Sequence, residues 1–148
     1  MPLLLAVVGV AAVISITLWI KHVRDHRVLE QHSITPENLH VLLCSNQDVL
    51  VFDVRLPLDL LADSEIIPGA QRIAPREVIE NPSLIPRERD AVVYCTCPSD
   101  KTSRSILRRA LALGFSRIKF LKGGLEGWKG QGFPVEPYQT AFHLDTGT

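Results

Sequence analysis

The stretch from Met1 to Ile20 carries no charged side chain and is dominated by Leu, Val, Ile and Ala, and this divides the chain before any other feature is weighed. As a helix it would be about 30 Å long, the thickness of a bilayer's hydrocarbon layer. It reads as one transmembrane helix, residues 1–20. A cleaved signal peptide would carry a basic residue ahead of the apolar run and a small-residue cleavage pattern behind it. Here the run starts at Met1 and meets Lys21 with neither. Lys21, His22, Arg24 and Arg27, opposed only by Asp25 and Glu30, flank the span on its C-terminal side. By the positive-inside rule the rest of the chain is expected on the cytoplasmic face of a cell's inner membrane, held by a single pass.

Residues 21–34 then read as a basic juxtamembrane linker, 35–138 as a folded domain and 139–148 as a polar tail. The roughly 110 to 125 residues beyond the span suffice for one small domain with one core. The 16 basic side chains are matched by 16 acidic ones, which argues against an electrostatic grip on nucleic acid. Of the 3 cysteines, Cys95 and Cys97 are only two positions apart, so a disulfide scaffold is not expected. A reducing cytosolic setting agrees with that.

Along the domain, strand-like and helix-like segments alternate. Thr35-Pro36-Glu37 offers an N-cap, a proline for the first helical position and an acid for the first turn, ahead of Leu39, Leu42 and Leu43. Cys44 falls at the end of that helix and reads as a buried structural thiol. Val49 to Val54 is a strand, Asp59 to Ala62 a short helix, and Ile67-Pro68-Gly69-Ala70 a turn leading to a short strand at Ile73-Ala74. Pro75 to Glu80 is a helical turn and Ile118 to Leu121 a further strand. The alternation predicts an α/β fold with a parallel sheet flanked by helices.

The segment Val92 to Ser103 carries the chemistry. Ala91-Val92-Val93-Tyr94 is a short buried strand that runs into Cys95-Thr96-Cys97-Pro98-Ser99-Asp100-Lys101-Thr102-Ser103. Behind it, Ile106, Leu107, Ala110 and Leu111 recur at helical spacing, with Thr102 or Ser103 as N-cap and Gly114 as the stop. A thiol in such a loop lies among backbone N–H groups near the positive end of a helix dipole, which stabilises a thiolate or persulfide.

Five short motifs stand in one order: Phe52-Asp53-Val54-Arg55, Ile67-Pro68-Gly69-Ala70, Val92-Val93-Tyr94-Cys95, Leu113-Gly114-Phe115, and Gly123-Gly124-Leu125-Glu126-Gly127-Trp128 followed by Pro134-Val135. Together they resemble a rhodanese (sulfurtransferase-like) domain over about residues 35 to 138. The Cys-x-Cys-Pro loop with an apolar N-terminal span is moreover similar to the rhodanese domains found at the ends of DedA-type membrane proteins. The resemblance implies a rhodanese-like fold and a cysteine that takes sulfane sulfur from a small donor, holds it as a persulfide and passes it to a thiol or cyanide acceptor. No cofactor is implied, and protein partners are not indicated. By the family pattern the nucleophile is Cys95, directly after the strand. Counted back from Gly114-Phe115, Cys97 falls at the usual offset, so both thiols stand as candidates. Thr96, Ser99, Lys101, Thr102 and Ser103 are the expected substrate-binding donors, and Asp53 with Arg55 the expected structural brace.

The chain departs from the family pattern in the loop, which is longer by two residues and holds Pro98 and Asp100, and at Ile66, where a histidine is common. Beside the enzyme, an inactive rhodanese-like docking module at the membrane therefore remains a reading. A phosphatase would need arginine six positions after its cysteine, but Lys101 follows Cys95 and Ser103 follows Cys97 at that distance, while Arg104 misses by one. A closed metal site would need about four ligands at suitable spacing, which the sequence lacks, and His22, His26, His32, His40 and His143 are scattered. Trp128 and Phe120 read as core.

Overall fold

A computed structural model of the chain describes residues 1–96 and 101–139. Two compact units separate at Gln31 and His32.

The first unit is one helix, α1 (Pro2–Gln31). Residues 1–20 are exposed on every side, and a helix that is apolar all round needs non-aqueous surroundings. Among the described residues it is the one helix long and apolar enough to cross a membrane, a property that a signal sequence shares. The segment expected as a linker stays helical as far as Gln31. Lys21 to Gln31 contains no Gly or Pro and is rich in strong helix formers, so nothing interrupts the backbone hydrogen bonds.

The second unit is an α/β domain. Its elements are β1 (Ser33–Ile34), α2 (Pro36–Cys44), β2 (Val49–Asp53), α3 (Pro57–Ala62), β3 (Glu65–Ile66), β4 (Gln71–Arg72), α4 (Pro75–Glu80), β5 (Asp90–Tyr94), α5 (Lys101–Ala112), β6 (Ile118–Leu121), α6 (Gly124–Gly130) and β7 (Glu136–Pro137). Five strands form one sheet in the order β1-β6-β5-β2-β4, with every pair parallel. β3 and β7 pair antiparallel in a separate ribbon. In the ladders Asp53 stands opposite Tyr94, and Val93 opposite Phe120.

Alternation of side chains gives the sheet two buried faces. On one, Val51, Val92, Tyr94 and Leu121 pack with Leu39 of α2 and with Leu125 and Trp128 of α6. Trp128 is 1% exposed and its Nε1 donates to the Pro134 carbonyl at 2.8 Å, so the ring is core with its polar edge satisfied. The other face carries Phe52, Val93 and Phe120, and α5 packs on it through its contact with β6.

The helix ends follow their local chemistry. Thr35 caps α2 by accepting from the Asn38 N–H at 3.3 Å, with Pro36 in the first turn. Gly114 ends α5 in a left-handed conformation, φ 83°, while the Phe115 N–H returns to the Ala110 carbonyl at 3.0 Å.

Three expectations need correction. α5 starts at Lys101, so Thr102 and Ser103 lie inside its first turn rather than capping it. The short strand is Gln71–Arg72, two residues before Ile73-Ala74, because Pro75 opens α4 and Ala74 is taken as that helix's cap. Cys44 is exposed, not buried. It lies five residues past the fully buried Leu39, about 140° round the helix from the core-facing stripe.

Candidate active site

β5 is the sheet's middle strand, and Cys95 follows it directly. The thiol residue is 5% exposed. Its backbone carbonyl accepts from the Leu125 N–H at 2.8 Å, which fastens the first turn of α6 onto the strand end. Gly124 makes that approach feasible: it has φ +57°, and a Cβ built there would lie 2.1 Å from the Cys95 carbonyl oxygen. The Gly123-Gly124 pair thus lets α6 close against the cysteine's main chain.

The strand beside it ends in a polar cluster without exposure. Asp53 and Arg55 are both 0% exposed. One Asp53 oxygen, Oδ1, accepts from the Arg55 backbone N–H and from Nε, each at 3.0 Å; the other, Oδ2, accepts from Nη2 at 2.6 Å. The remaining guanidinium donors reach the Asp63 and Glu65 carbonyls, both at 2.8 Å. The pair therefore ties the end of β2 to the segment leading into β3. Burial pulls the Arg55 pKa down, but the bonds to Asp53 outweigh it and the net shift is upward. Tyr94 joins from β5, its hydroxyl donating to Asp53 Oδ2 and accepting from the Ile67 N–H, both at 3.2 Å. Burial and then the Asp53 carboxylate push the Tyr94 pKa well above the ordinary tyrosine value.

On the other side of Cys95 the polar groups are not matched. Thr96 Oγ1, Ser103 Oγ and Arg104 Nε are buried with no hydrogen-bond partner among the described residues. Thr102 is half-buried, and Lys101 is the first residue of α5. Cys97 and Ser99, with Pro98 and Asp100, lie outside the described residues. Cys95 and Thr96 accordingly follow the end of β5, Thr102 and Ser103 lie in the first turn of α5, and Asp53 and Arg55 stand one strand away.

Sequence reasoning missed three features. The close approach of Gly124 to Cys95 was signalled only by a doubled glycine. Tyr94 as a partner of Asp53 follows from the β2–β5 register, which a sequence does not state. Arg104 falls one residue beyond the phosphatase spacing from Cys97, so spacing gives it no role.

Residues 35–131 match the rhodanese-like domain family. A sulfurtransferase of Allochromatium vinosum is 30% identical over 104 residues, which cover 70% of this chain and 94% of that protein. Among solved structures, a rhodanese-related protein of Thermoplasma volcanium superimposes with a TM-score of 0.61 at 24% identity, covering 73% of this chain and 99% of its own. A thiosulfate sulfurtransferase of Pseudomonas aeruginosa does so with a TM-score of 0.57 at 24% identity, over 75% of this chain and 21% of its own length. The family match and the curated relative together carry one conclusion: this chain belongs to the rhodanese-like domain family.

Proposed function

We propose that the protein is a membrane-anchored sulfurtransferase in which Cys95 holds a persulfide. The observation that carries the reading is a nearly buried cysteine at the end of the central strand, six residues ahead of a helix, in a chain related to a sulfurtransferase. In the first half-reaction the Cys95 thiolate attacks the sulfane sulfur of a donor such as thiosulfate. A new S–S bond forms, the donor's S–S bond breaks, and sulfite leaves with the electron pair. In the second, a thiolate or cyanide attacks the outer sulfur of the persulfide and returns Cys95 as a thiolate. Backbone N–H groups of the loop and the start of α5 would hold the negative charge at each stage. Thr96, Ser99, Lys101, Thr102 and Ser103 are assigned to the donor, and Asp53 with Arg55 to holding the sheet edge.

Residues 1–20 anchor the domain, with the basic flank from Lys21 to Arg27 placing it on the cytoplasmic side. The Cys-x-Cys-Pro loop beside an apolar N-terminal helix supports grouping the chain with the rhodanese domains of DedA-type membrane proteins. Salt washing should leave the protein in the membrane fraction, and protease added outside intact cells should not reach residues beyond Lys21.

Replacing each thiol in turn tests the chemistry. Cys95→Ser should abolish sulfur transfer from thiosulfate to cyanide, since a serine hydroxyl neither ionises near neutrality nor holds sulfane sulfur. Cys97→Ser should keep the first half-reaction. The reverse pattern would move the persulfide to Cys97, and inactivity of the wild-type protein with every donor would leave the docking module.

A further inference from the structure

The exposed Cys44 has a base beside it. His40, one turn back on α2, brings Nε2 to 3.6 Å and Nδ1 to 3.9 Å from the Cys44 Sγ. Residues four apart share a helix face, and either imidazole tautomer leaves one of these nitrogens able to take the thiol proton. Packing fixes the ring. It is stacked on Phe133 with centroids 4.1 Å and planes 3° apart, and its centroid lies 5.8 Å from that of Trp128. His40 and Cys44 open together onto a cleft of about 280 Å³ whose other walls are Leu43, Pro68, Trp128 and Pro134. Those walls are apolar, since the indole N–H is committed to the Pro134 carbonyl. α2 runs from the end of β1 back toward the start of β2, so in this all-parallel sheet Cys44 lies toward the edge opposite the one at which Cys95 follows β5. The two thiols are separate places.

At the C-terminal end of a helix the dipole opposes negative charge, so attack by Cys44 depends on a neighbouring base. His40 is that base. The thiolate it releases is a soft nucleophile at the mouth of an aromatic cleft, and sulfur packs well against ring edges. A disulfide with a flat apolar substituent fits both halves, its ring in the cleft and its S–S bond at Cys44. We infer that Cys44 and His40 form a second thiol site, at which small disulfides of this class exchange and leave a mixed disulfide on Cys44. His40 takes the Cys44 proton and the thiolate attacks one sulfur of the reagent. A new S–S bond forms, the reagent's own S–S bond breaks, and its other half leaves with the electron pair and is protonated by His40. Cys44 is oxidised and the departing half is reduced, so the exchange needs no third reactant.

The test uses the full-length protein in detergent micelles, with dipyridyl disulfide as the aromatic reagent, hydroxyethyl disulfide as one without a ring, and N-acetylcysteine in the same micelles as the reference thiol. Peptide mapping after digestion reads Cys44 apart from Cys95 and Cys97. Cys44 should react with the aromatic reagent about tenfold or more faster than the reference, a free thiol being only a few per cent ionised near neutrality. Its advantage with hydroxyethyl disulfide should be smaller. His40→Phe, which keeps a ring against Phe133, and His40→Gln, which keeps a polar side chain, should each bring Cys44 down to the reference rate. Pro68→Ala takes away part of the cleft wall and should lower the preference for the aromatic reagent. A wild-type Cys44 no faster than the reference would overturn the inference. An undiminished rate in both His40 variants would do the same, as would equal advantages with the two reagents.

Discussion

At the ends of β2 and β5, two strands paired side by side, the chain treats its buried polar groups in opposite ways. Asp53 at the end of β2 is saturated by Arg55 and Tyr94, and Arg55 spends its remaining donors on the Asp63 and Glu65 carbonyls. Past β5, Thr96, Ser103 and Arg104 keep buried donors that no described group accepts. A satisfied network rigidifies a fold, whereas an unsatisfied one costs stability unless something binds there. We propose that the first region holds the site in place and that the second receives a ligand. Substitution should separate them by the sign of the stability change.

Removing the brace should have the largest effect. Arg55→Met leaves the Asp53 carboxylate buried without its cation, and should cost about 3 to 5 kcal/mol in urea unfolding of the chain from His32 on. A loss below about 1 kcal/mol would mean that the brace is not structural. Next comes Tyr94→Phe, which strips Asp53 and the Ile67 N–H of one partner and should cost about 1 to 3 kcal/mol. It should also change the alkaline limb of stability. The folded-state Tyr94 pKa is raised, so above the ordinary value of 10.0 the unfolded chain loses this proton while the folded chain keeps it. Tyr94's contribution is whole below that pH and is lost as pH climbs toward the folded value. In Tyr94→Phe that part of the alkaline decline should vanish, and an unchanged profile above pH 10.0 would contradict the buried phenol. The smallest effect should be of opposite sign. Ser103→Ala removes an unmatched buried hydroxyl and should stabilise the ligand-free protein by about 1 kcal/mol. Destabilisation of that size would place a partner on Ser103 and erase the contrast between the two regions.

What the residue pattern revealed and what it hid follow the same division. Strands such as Val49 to Asp53 and Ile118 to Leu121 were legible because β-branched and apolar runs are bounded by turn residues, and α2 because Thr35-Pro36-Glu37 is a local start signal. Cys95 was legible as a thiol between a strand and a helix. The ribbon of β3 and β7 was not, since two-residue strands some 70 positions apart leave no periodicity to read. The exposure of Cys44 is not legible because it depends on which way a helix turns its last residue, and the surroundings of Arg104 are not because what its donors meet is set by the tertiary fold and not by spacing.

The central claim is that the unmatched side of the site serves sulfur chemistry at Cys95. Intact mass of the purified protein after incubation with thiosulfate tests it most directly. The account predicts the gain of a single sulfur atom in the wild-type protein, removable by cyanide and absent from Cys95→Ser. Full retention of the original mass by the wild-type protein with thiosulfate and with other sulfane donors would contradict it.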